Sequence, residues 1–374
     1  MSSTPVSFGI VGAGWRTEFF LRIARELPEH FTVSGVFARD ATKGDTFTAK
    51  WGVPTFRTLD ALLQATAPRF VVVSVPWEAS PTVLTECVEH GIPALAETPP
   101  APDVARLRSL YEFLQEKRGR IQVAEQYAFQ PLQQALLSIA HSGRVGTPSQ
   151  AQVSIAHGYH GISLLRKYLG VMFENATITA TRFTTPTVAS PGRQGPPAEF
   201  KVGNAMQTIA QFQFEDGRWG VFDFMGDQYF SFIRGHRLLV RGERGEIMSN
   251  PDGETATVRS LLDETAGMCE TVQRVDTGHG GNLEGYHHRG YTFSGEWVYR
   301  NPFAARANGY AGGRLADDEI AIATALQKMA EYAEGGPDFY SLAEAAQDRY
   351  LDILIEEAWR TGQSVTSEKQ LWTL

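Results

Sequence analysis

The stretch Ser7-Phe8-Gly9-Ile10-Val11-Gly12-Ala13-Gly14-Trp15-Arg16 constrains this chain more than any other. A short apolar run ends in glycines and passes at once into a helical pattern. Phe19, Phe20, Ile23, Ala24 and Leu27 share one face of the segment from Trp15 to Leu27. Strand, glycine turn and helix form the arrangement in which a backbone receives a dinucleotide. Gly12 permits the tight turn and Gly14 lets the backbone approach a pyrophosphate. The helix start, with Trp15 and Arg16, offers N–H groups and the positive end of a dipole. Thr17 stands where a third small residue is usual. A plain tight turn before a helix is the competing reading, and the position directly after the first strand favours the nucleotide.

Phe31 to Phe37 predicts the second strand. In such folds an acidic residue about 20 positions past the glycines holds the ribose 2′-hydroxyl. Here the strand ends Phe37-Ala38-Arg39-Asp40, so Ala38 takes the acid's place and Arg39 follows it. A guanidinium there suits a 2′-phosphate, so NADP is preferred over NAD. The alternative is a solvated Arg39 beside an Asp40 that caps the next helix.

The pattern then repeats. Thr58 and Asp60 open a helix, Phe70 to Val75 reads as a buried parallel strand, and Ser80-Pro81 opens a helix that Gly91 stops. Pro93 to Ala96 and Ile121 to Ala124 are further strands around a helix from Asp103 to Leu114. This alternation predicts a doubly wound parallel sheet, a Rossmann domain over residues 1–126. Ligands of such sheets lie at the carboxyl ends of the strands, which here carry Pro76-Trp77, Glu97-Thr98-Pro99 and Glu125-Gln126-Tyr127.

With 374 residues and 43% hydrophobic content, the chain suits two globular domains, the second spanning 127–374. A net charge of -8 argues against a nucleic-acid partner. No apolar run would span a bilayer, and no signal segment opens the chain. Cys87 and Cys269 fit no metal pattern, so a cytoplasmic protein with two buried thiols is expected.

The second domain opens with an alternating strand, Ser149 to Ala156. His157-Gly158-Tyr159-His160-Gly161 follows, then a helix through Leu164, Leu165, Tyr168 and Leu169 that Gly170 closes. Two histidines three apart are too few for zinc, and no metal is expected. Further strands are predicted at Ala176–Thr184, Ala205–Phe214, Trp219–Met225, Phe230–Val240 and Gly245–Ser249, with a hairpin turn at Asp216-Gly217. Residues 186–203 read as one long proline-rich loop. Residues 276–314 read as a Gly-rich, loop-rich segment carrying His279, His287, His288, Arg289, Tyr291, Trp297 and Tyr299, suited to folding over a ligand. Two scaffold helices end the chain. One opens at Asp317-Asp318-Glu319, and the other, 341–362, starts with a capping box at Ser341 and Glu344 and is a candidate to pack back on the first domain.

The chain resembles the glucose–fructose oxidoreductase, inositol dehydrogenase and rhizopine-catabolism family (Gfo/Idh/MocA). The resemblance rests on Gly12-Ala13-Gly14, on Pro76 after its apolar strand, on Glu97-Thr98-Pro99 after Gly91-Ile92-Pro93, and on His160 ahead of Leu169-Gly170. It implies a Rossmann domain followed by a large, open, mostly antiparallel sheet. It also implies a homodimer or homotetramer through that sheet, and hydride transfer between NAD(P) and a sugar, polyol or related small molecule. Carried over to this chain, it places Pro76 and Trp77 on the adenine or nicotinamide side and Glu97 by the nicotinamide. Thr98, Gln126, Tyr159, His157 and His160 face the substrate. Two departures stand out. The family's Glu-Lys-Pro is Glu97-Thr98-Pro99 here, and the two Asp that accompany its His are Ala156 and Ser163. A Thr hydroxyl positions an oxygen but is no base near neutral pH, which leaves His160, with an ordinary pKa of ~6.5, to move the proton. A His160 that only orients substrate or caps the helix is the rival. Biliverdin reductases resemble the family and also lack the Lys. Two other functions stay open: a redox-neutral lyase or glycosidase with tightly held NAD(P), and a catalytically silent NAD(P)-binding regulator.

Overall fold

The computed structural model describes residues 4–231, 233–277, 287–304 and 314–373. The chain forms two compact units, neither contiguous. The first comprises Met1–Gln130, Asp276–Arg289 and Asn301–Ala346, and the second comprises Pro131–Val275, Gly290–Arg300 and Gln347–Leu374. A single boundary after residue 126 therefore does not describe the chain, because two later segments return to the first unit.

The first unit holds six parallel strands: β1 (Val6–Val11), β2 (Phe31–Phe37), β3 (Thr55–Phe56), β4 (Phe70–Val73), β5 (Ala94–Ala96) and β6 (Ile121–Val123). Their spatial order is β3-β2-β1-β4-β5-β6. Between them run α1 (Thr17–Glu26), α2 (Ala41–Trp51), α3 (Leu59–Thr66), α4 (Ser80–Glu89) and α5 (Val104–Lys117). Both faces of the sheet are covered, which is why the strands read as unbroken apolar runs. Phe8, Ile10, Phe70 and Leu95 pack with Phe20 and Ile23 of α1, whereas Val11, Val71 and Val73 pack with Leu62, Leu84 and Leu110. Successive residues of β1 thus serve opposite cores.

The second unit begins with α6 (Pro131–Ala140), β7 (Pro148–Ser154) and α7 (Gly158–Leu169). The remaining strands are β8 (Ala176–Val188), β9 (Val202–Phe214), β10 (Trp219–Met225), β11 (Arg237–Gly242), β12 (Gly245–Ser249), β13 (Ala256–Leu261), β14 (Gly267–Thr277), β15 (His287–Phe293) and β16 (Glu296–Arg300). Helices α8 (Asp317–Ala333) and α9 (Leu342–Thr361) and the short β17 (Val365–Thr366) end the chain. The second sheet has eleven strands in the order β16-β15-β14-β13-β12-β11-β7-β10-β9-β8-β17. Most of its pairs are antiparallel, and β10 with β7 is parallel.

Several sequence expectations change. The helix that covers the first sheet is α8, whose Ile320, Ala323, Leu326 and Met329 join the core of Phe8 and Ile10. Only the start of the last helix, Leu342 and Ala345, joins a core of the first unit. The loop at 186–203 is shorter than expected, because β8 and β9 stay paired out to Val188 and Val202. Among the described residues β8 beyond Ile178 pairs with β9 alone, so the missing N–H of Pro186 is tolerated there. The strand expected from Phe230 starts only at Arg237. The buried Gln228 amide bonds Ser154 O at 2.7 Å and Gly235 O at 2.9 Å, holding an irregular segment in place of a ladder. Segment 276–314 contains a hairpin, β15–β16, turning at Ser294-Gly295 with φ of 50° and 77°, the two left-handed residues of a tight hairpin turn. His279 lies outside the described residues.

Candidate functional site

In the first unit the carboxyl ends of five strands fall in line. Val11 is level with Phe37 and Val73, Val73 with Ala96, and Ala96 with Val123. The ladder continues one residue further: Gly12 N–H donates to Phe37 O (2.9 Å), Ser74 N–H to Val11 O (2.8 Å), Glu97 N–H to Val73 O (3.0 Å) and Ala124 N–H to Ala96 O (2.8 Å). Gly12, Ala38, Ser74, Glu97 and Ala124 therefore mark one edge. Chain order reverses at β1, between β2 and β4, the place where open α/β sheets receive ligands.

The two glycines of the turn differ in kind. Gly12 has φ +117°, and a Cβ there would lie 2.0 Å from Ser74 O, so only glycine fits. Gly14 meets nothing within 4 Å, leaving its backbone open to an incoming group. Thr17, at the third position, is fully buried and donates its hydroxyl proton to Gly12 O at 3.0 Å. It braces the turn where a smaller residue would only pack. Trp15 is 46% exposed and stands edge-on to Phe19.

Arg16, the N-cap of α1, turns its guanidinium into a carboxylate cluster. Its Nε donates to Glu97 Oε1 at 2.8 Å, and Nη1 lies 3.5 Å from Asp318 of α8. Burial opposes its charge, but Glu97 and Asp318 outweigh that and raise its pKa. Glu125, one residue beyond the level of Ala124, is 1% exposed and accepts Tyr127 N–H at 3.1 Å. Burial first, then neighbouring Glu97 and Asp318, push its pKa up to about 8 against the opposing pull of Tyr127 N–H and Arg16. Gln126 is buried, and its Oε1 has no hydrogen-bond partner among the described residues; neither has Ser80 Oγ at the start of α4. Unpartnered buried polar atoms at a strand-end edge are places for a ligand's donors and acceptors.

The other residues singled out in the sequence lie along the same edge. Ala38 is buried and donates its N–H to Phe56 O, Arg39 is exposed, and Asp40 caps α2 by accepting Lys43 N–H at 2.8 Å. Pro76 and Trp77 are exposed in the turn after β4. Thr98 is half-buried, directly after Glu97 and before the cis bond to Pro99.

The second unit carries the histidine cluster at the start of α7. His157 is the N-cap and keeps solvent exposure, while His160 is 6% exposed, and their rings lie 5.0 Å apart at 88°. Tyr159 lies 4.5 Å from His160, ring to ring. Tyr229, from the turn after β10, receives His157 N–H on its hydroxyl at 2.9 Å and also hydrogen-bonds His157 Nδ1. Crowding away from water, then His160 and Arg193, lower the pKa of His157. The positions where the resemblance leads one to expect Asp hold Ala156 and Ser163, both fully buried. A carboxylate does reach this helix start, but from α9: a Cβ on Gly158 would lie 2.7 Å from Asp352 Oδ1. Burial raises the Asp352 pKa to about 6, against the pull of Arg349.

Within the first unit the structure thus assembles Gly12, Gly14, Arg16, Glu97 and Gln126, and within the second His157, Tyr159 and His160. Glu125, Asp318, Tyr229 and Asp352 were not predicted. Glu125 was within reach of the strand-end rule, and Asp318 sat in an acidic run that helix-dipole reasoning absorbed.

Residues 6–125 match the model of the GFO_IDH_MocA oxidoreductase family, which has an NAD-binding Rossmann fold. The family match is confined to this first domain, less than half of the chain. A curated relative, inositol 2-dehydrogenase of Leifsonia xyli subsp. xyli (strain CTCB07), is 32% identical over 149 residues. That match spans 39% of this chain and 44% of the relative's length. Two solved structures carry the likeness across both units. Levoglucosan dehydrogenase in complex with NADH and levoglucosan has a TM-score of 0.70 at 14% identity, covering 98% of this chain and 100% of that one. An Agrobacterium radiobacter oxidoreductase in complex with NAD+, L-tartaric acid and magnesium has a TM-score of 0.68 at 14% identity, covering 97% and 98%. At such identities the likeness shows a shared fold. Among the described residues no helix is long and apolar enough to cross a membrane, and no group of three His, Cys, Asp or Glu could hold a metal ion.

Proposed function

We propose that this chain is a Gfo/Idh/MocA oxidoreductase, NAD(P)-dependent and acting on a carbonyl or hydroxyl of a sugar, polyol or related small molecule in the cytoplasm. The observation that carries the reading is the aligned strand-end edge, with Gly14 open and the buried Gln126 Oε1 lacking a protein partner. These residues fit a dinucleotide. Gly12, Gly14 and Trp15 would hold its diphosphate with the backbone of Arg16, since the Arg16 side chain is engaged by Glu97. Ala38 and Arg39 would meet the adenosine ribose, and an exposed Arg39 without an acid at 38 favours NADP. Pro76 and Trp77 would flank the bases, and Glu97 would serve the nicotinamide side.

The nicotinamide, when bound, supplies or accepts a hydride at ring carbon 4. The chain's own groups do the rest. Thr98 positions the substrate oxygen, His160 gives or takes the proton there, and Gln126, Tyr159 and His157 orient the substrate. A homodimer or homotetramer through the second sheet belongs to the same reading, supported by exposed Phe183, Val202 and Met206 on β8 and β9.

Thr98 supports a second reading, in which NAD(P) stays bound through a redox-neutral lyase or glycosidase reaction, or serves a silent regulator. One experiment separates these. The protein is incubated with NAD+ or NADP+ and a panel of inositols and monosaccharides, following nicotinamide absorbance and carbohydrate products by mass spectrometry. Reduced nicotinamide with an oxidised product is expected. Product without absorbance change selects the lyase, and bound cofactor without product selects the regulator.

A further inference from the structure

We propose that Arg57 is the second cation of a 2′-phosphate subsite, standing with Arg39 at the ends of β3 and β2 and setting a preference for NADPH over NADH. The two strands end level: Phe56 pairs with Phe37, and Ala38 N–H donates to Phe56 O at 3.0 Å. The next residue on β2 is Ala38, and the next on β3 is Arg57. Ala38 occupies the place where an acid would hold a ribose 2′-hydroxyl. The charge beside that place is the Arg57 guanidinium, whose Nη1 lies 3.4 Å from Ala38 O. Arg39 follows Ala38 and is exposed.

The Arg57 head has a defined seat. Nη1 also reaches Thr55 Oγ1 at 3.2 Å and Phe56 O at 3.4 Å, while Nη2 reaches Ala41 O and Asp45 Oδ1 at 3.3 Å each. These contacts are long, and the two protons of Nη1 serve three acceptors, so they steer the head without saturating it. Its Nε–H has no acceptor among the described residues. Gly44, inside α2, makes the room: a Cβ there would lie 2.5 Å from Nη1 and 2.9 Å from both Cζ and Nη2. Glycine weakens a helix interior, and the flat approach of the guanidinium is what it allows here. Two carboxylates stand on α2. Asp40 is engaged by Lys43 N–H as the cap, and the Asp45 side chain is 80% exposed, so water and salt screen it. A planar fork of N–H donors suits phosphate oxygens, whereas a 2′-hydroxyl brings no charge for it to meet.

This deepens the proposed function and rests on its NADP preference, which was read from position 38 and Arg39 alone. One set of titrations separates the two. NADPH and NADH binding to the full chain is followed by nicotinamide fluorescence for wild type, Arg39→Ala, Arg57→Gln and Gly44→Ala, with a thermal melt of each. Arg57→Gln is expected to lower NADPH affinity about tenfold and leave NADH affinity level. Gly44→Ala, which unseats the head but favours the helix, is expected to lower the NADPH preference while melting at or above the wild-type temperature. A merely structural role would not move preference and melting temperature apart in this way. An unchanged NADPH-to-NADH ratio in Arg57→Gln, with a reduced ratio in Arg39→Ala, overturns the role of Arg57 alone. An unchanged ratio in both variants, or no binding of either dinucleotide to wild type, overturns the NADP preference and this proposal together. Should Arg57→Gln not fold, Gly44→Ala decides, and an unchanged ratio there contradicts the proposal.

Discussion

The two candidate clusters, one in each unit, are built on opposite principles. In the first unit the backbone makes the site: a glycine turn and five level strand ends, with Arg16, Glu97 and Asp318 as a charged network and the buried Glu125 beside it. In the second unit side chains make it: rings of His157, Tyr159, His160, Phe224 and Tyr229 packed edge-on or tilted at one helix start. A backbone site tolerates side-chain change but not a Cβ in the wrong place. A side-chain site tolerates neither loss of a ring nor loss of a hydroxyl. The contrast suits a division of labour in which one part holds a constant cofactor and the other meets a variable substrate.

The largest effect should break the second part. His160→Ala is expected to lower turnover roughly 10²- to 10⁴-fold with cofactor affinity intact, the usual cost of losing a general acid or base. Full turnover in steady-state assays would remove His160 from the chemistry. The first part is broken by the two glycines in different ways. Gly14→Val is expected to weaken dinucleotide binding about 10- to 100-fold by crowding an open site, with little change in melting temperature. Gly12→Val, pressed against Ser74 O at positive φ, should unfold the turn and lower the melting temperature as well. If both variants melt like wild type, the distinction between them is wrong. Arg39→Ala sharpens the cofactor choice: NADPH affinity should fall about tenfold or more and NADH affinity stay level.

A pH experiment tests the charged network. Glu125 has a folded pKa of about 8, well above its unfolded value, so the folded state binds the extra proton. That stabilisation is complete below the unfolded pKa and is lost as pH rises through about 8. Glu125→Gln should remove up to about 1.4 kcal/mol per pH unit of this loss, read by urea melts across that window. Identical pH slopes for variant and wild type would place Glu125 among ordinary carboxylates. The smallest effect separates the thiols: native protein should react with an alkylating reagent at exposed Cys269 and not at buried Cys87, whose pKa is pushed up to about 12 by burial.

What was legible in the sequence follows the same division. Gly12 was readable because backbone geometry leaves a residue type no choice there, Gly14 by its place two residues on in the motif, and the strand-end rule pointed to Glu97 and Gln126. The first sheet was readable because β4 and its neighbours are buried on both faces. Tyr229 was not readable: its partner His157 lies 72 positions away, and nothing in local spacing links them. Asp352 was missed for the same reason. The β15–β16 hairpin was hidden by glycines that signalled loop, although Ser294-Gly295 carried the turn.

The central claim is that a nicotinamide dinucleotide rests on the opening glycine turn. Isothermal calorimetry of the wild-type chain and Gly14→Val with NADPH and NADH tests it most directly. The account predicts saturable binding of one dinucleotide per wild-type chain, weakened in the variant. The absence of binding heat with both dinucleotides, or equal affinity in wild type and variant, would contradict it.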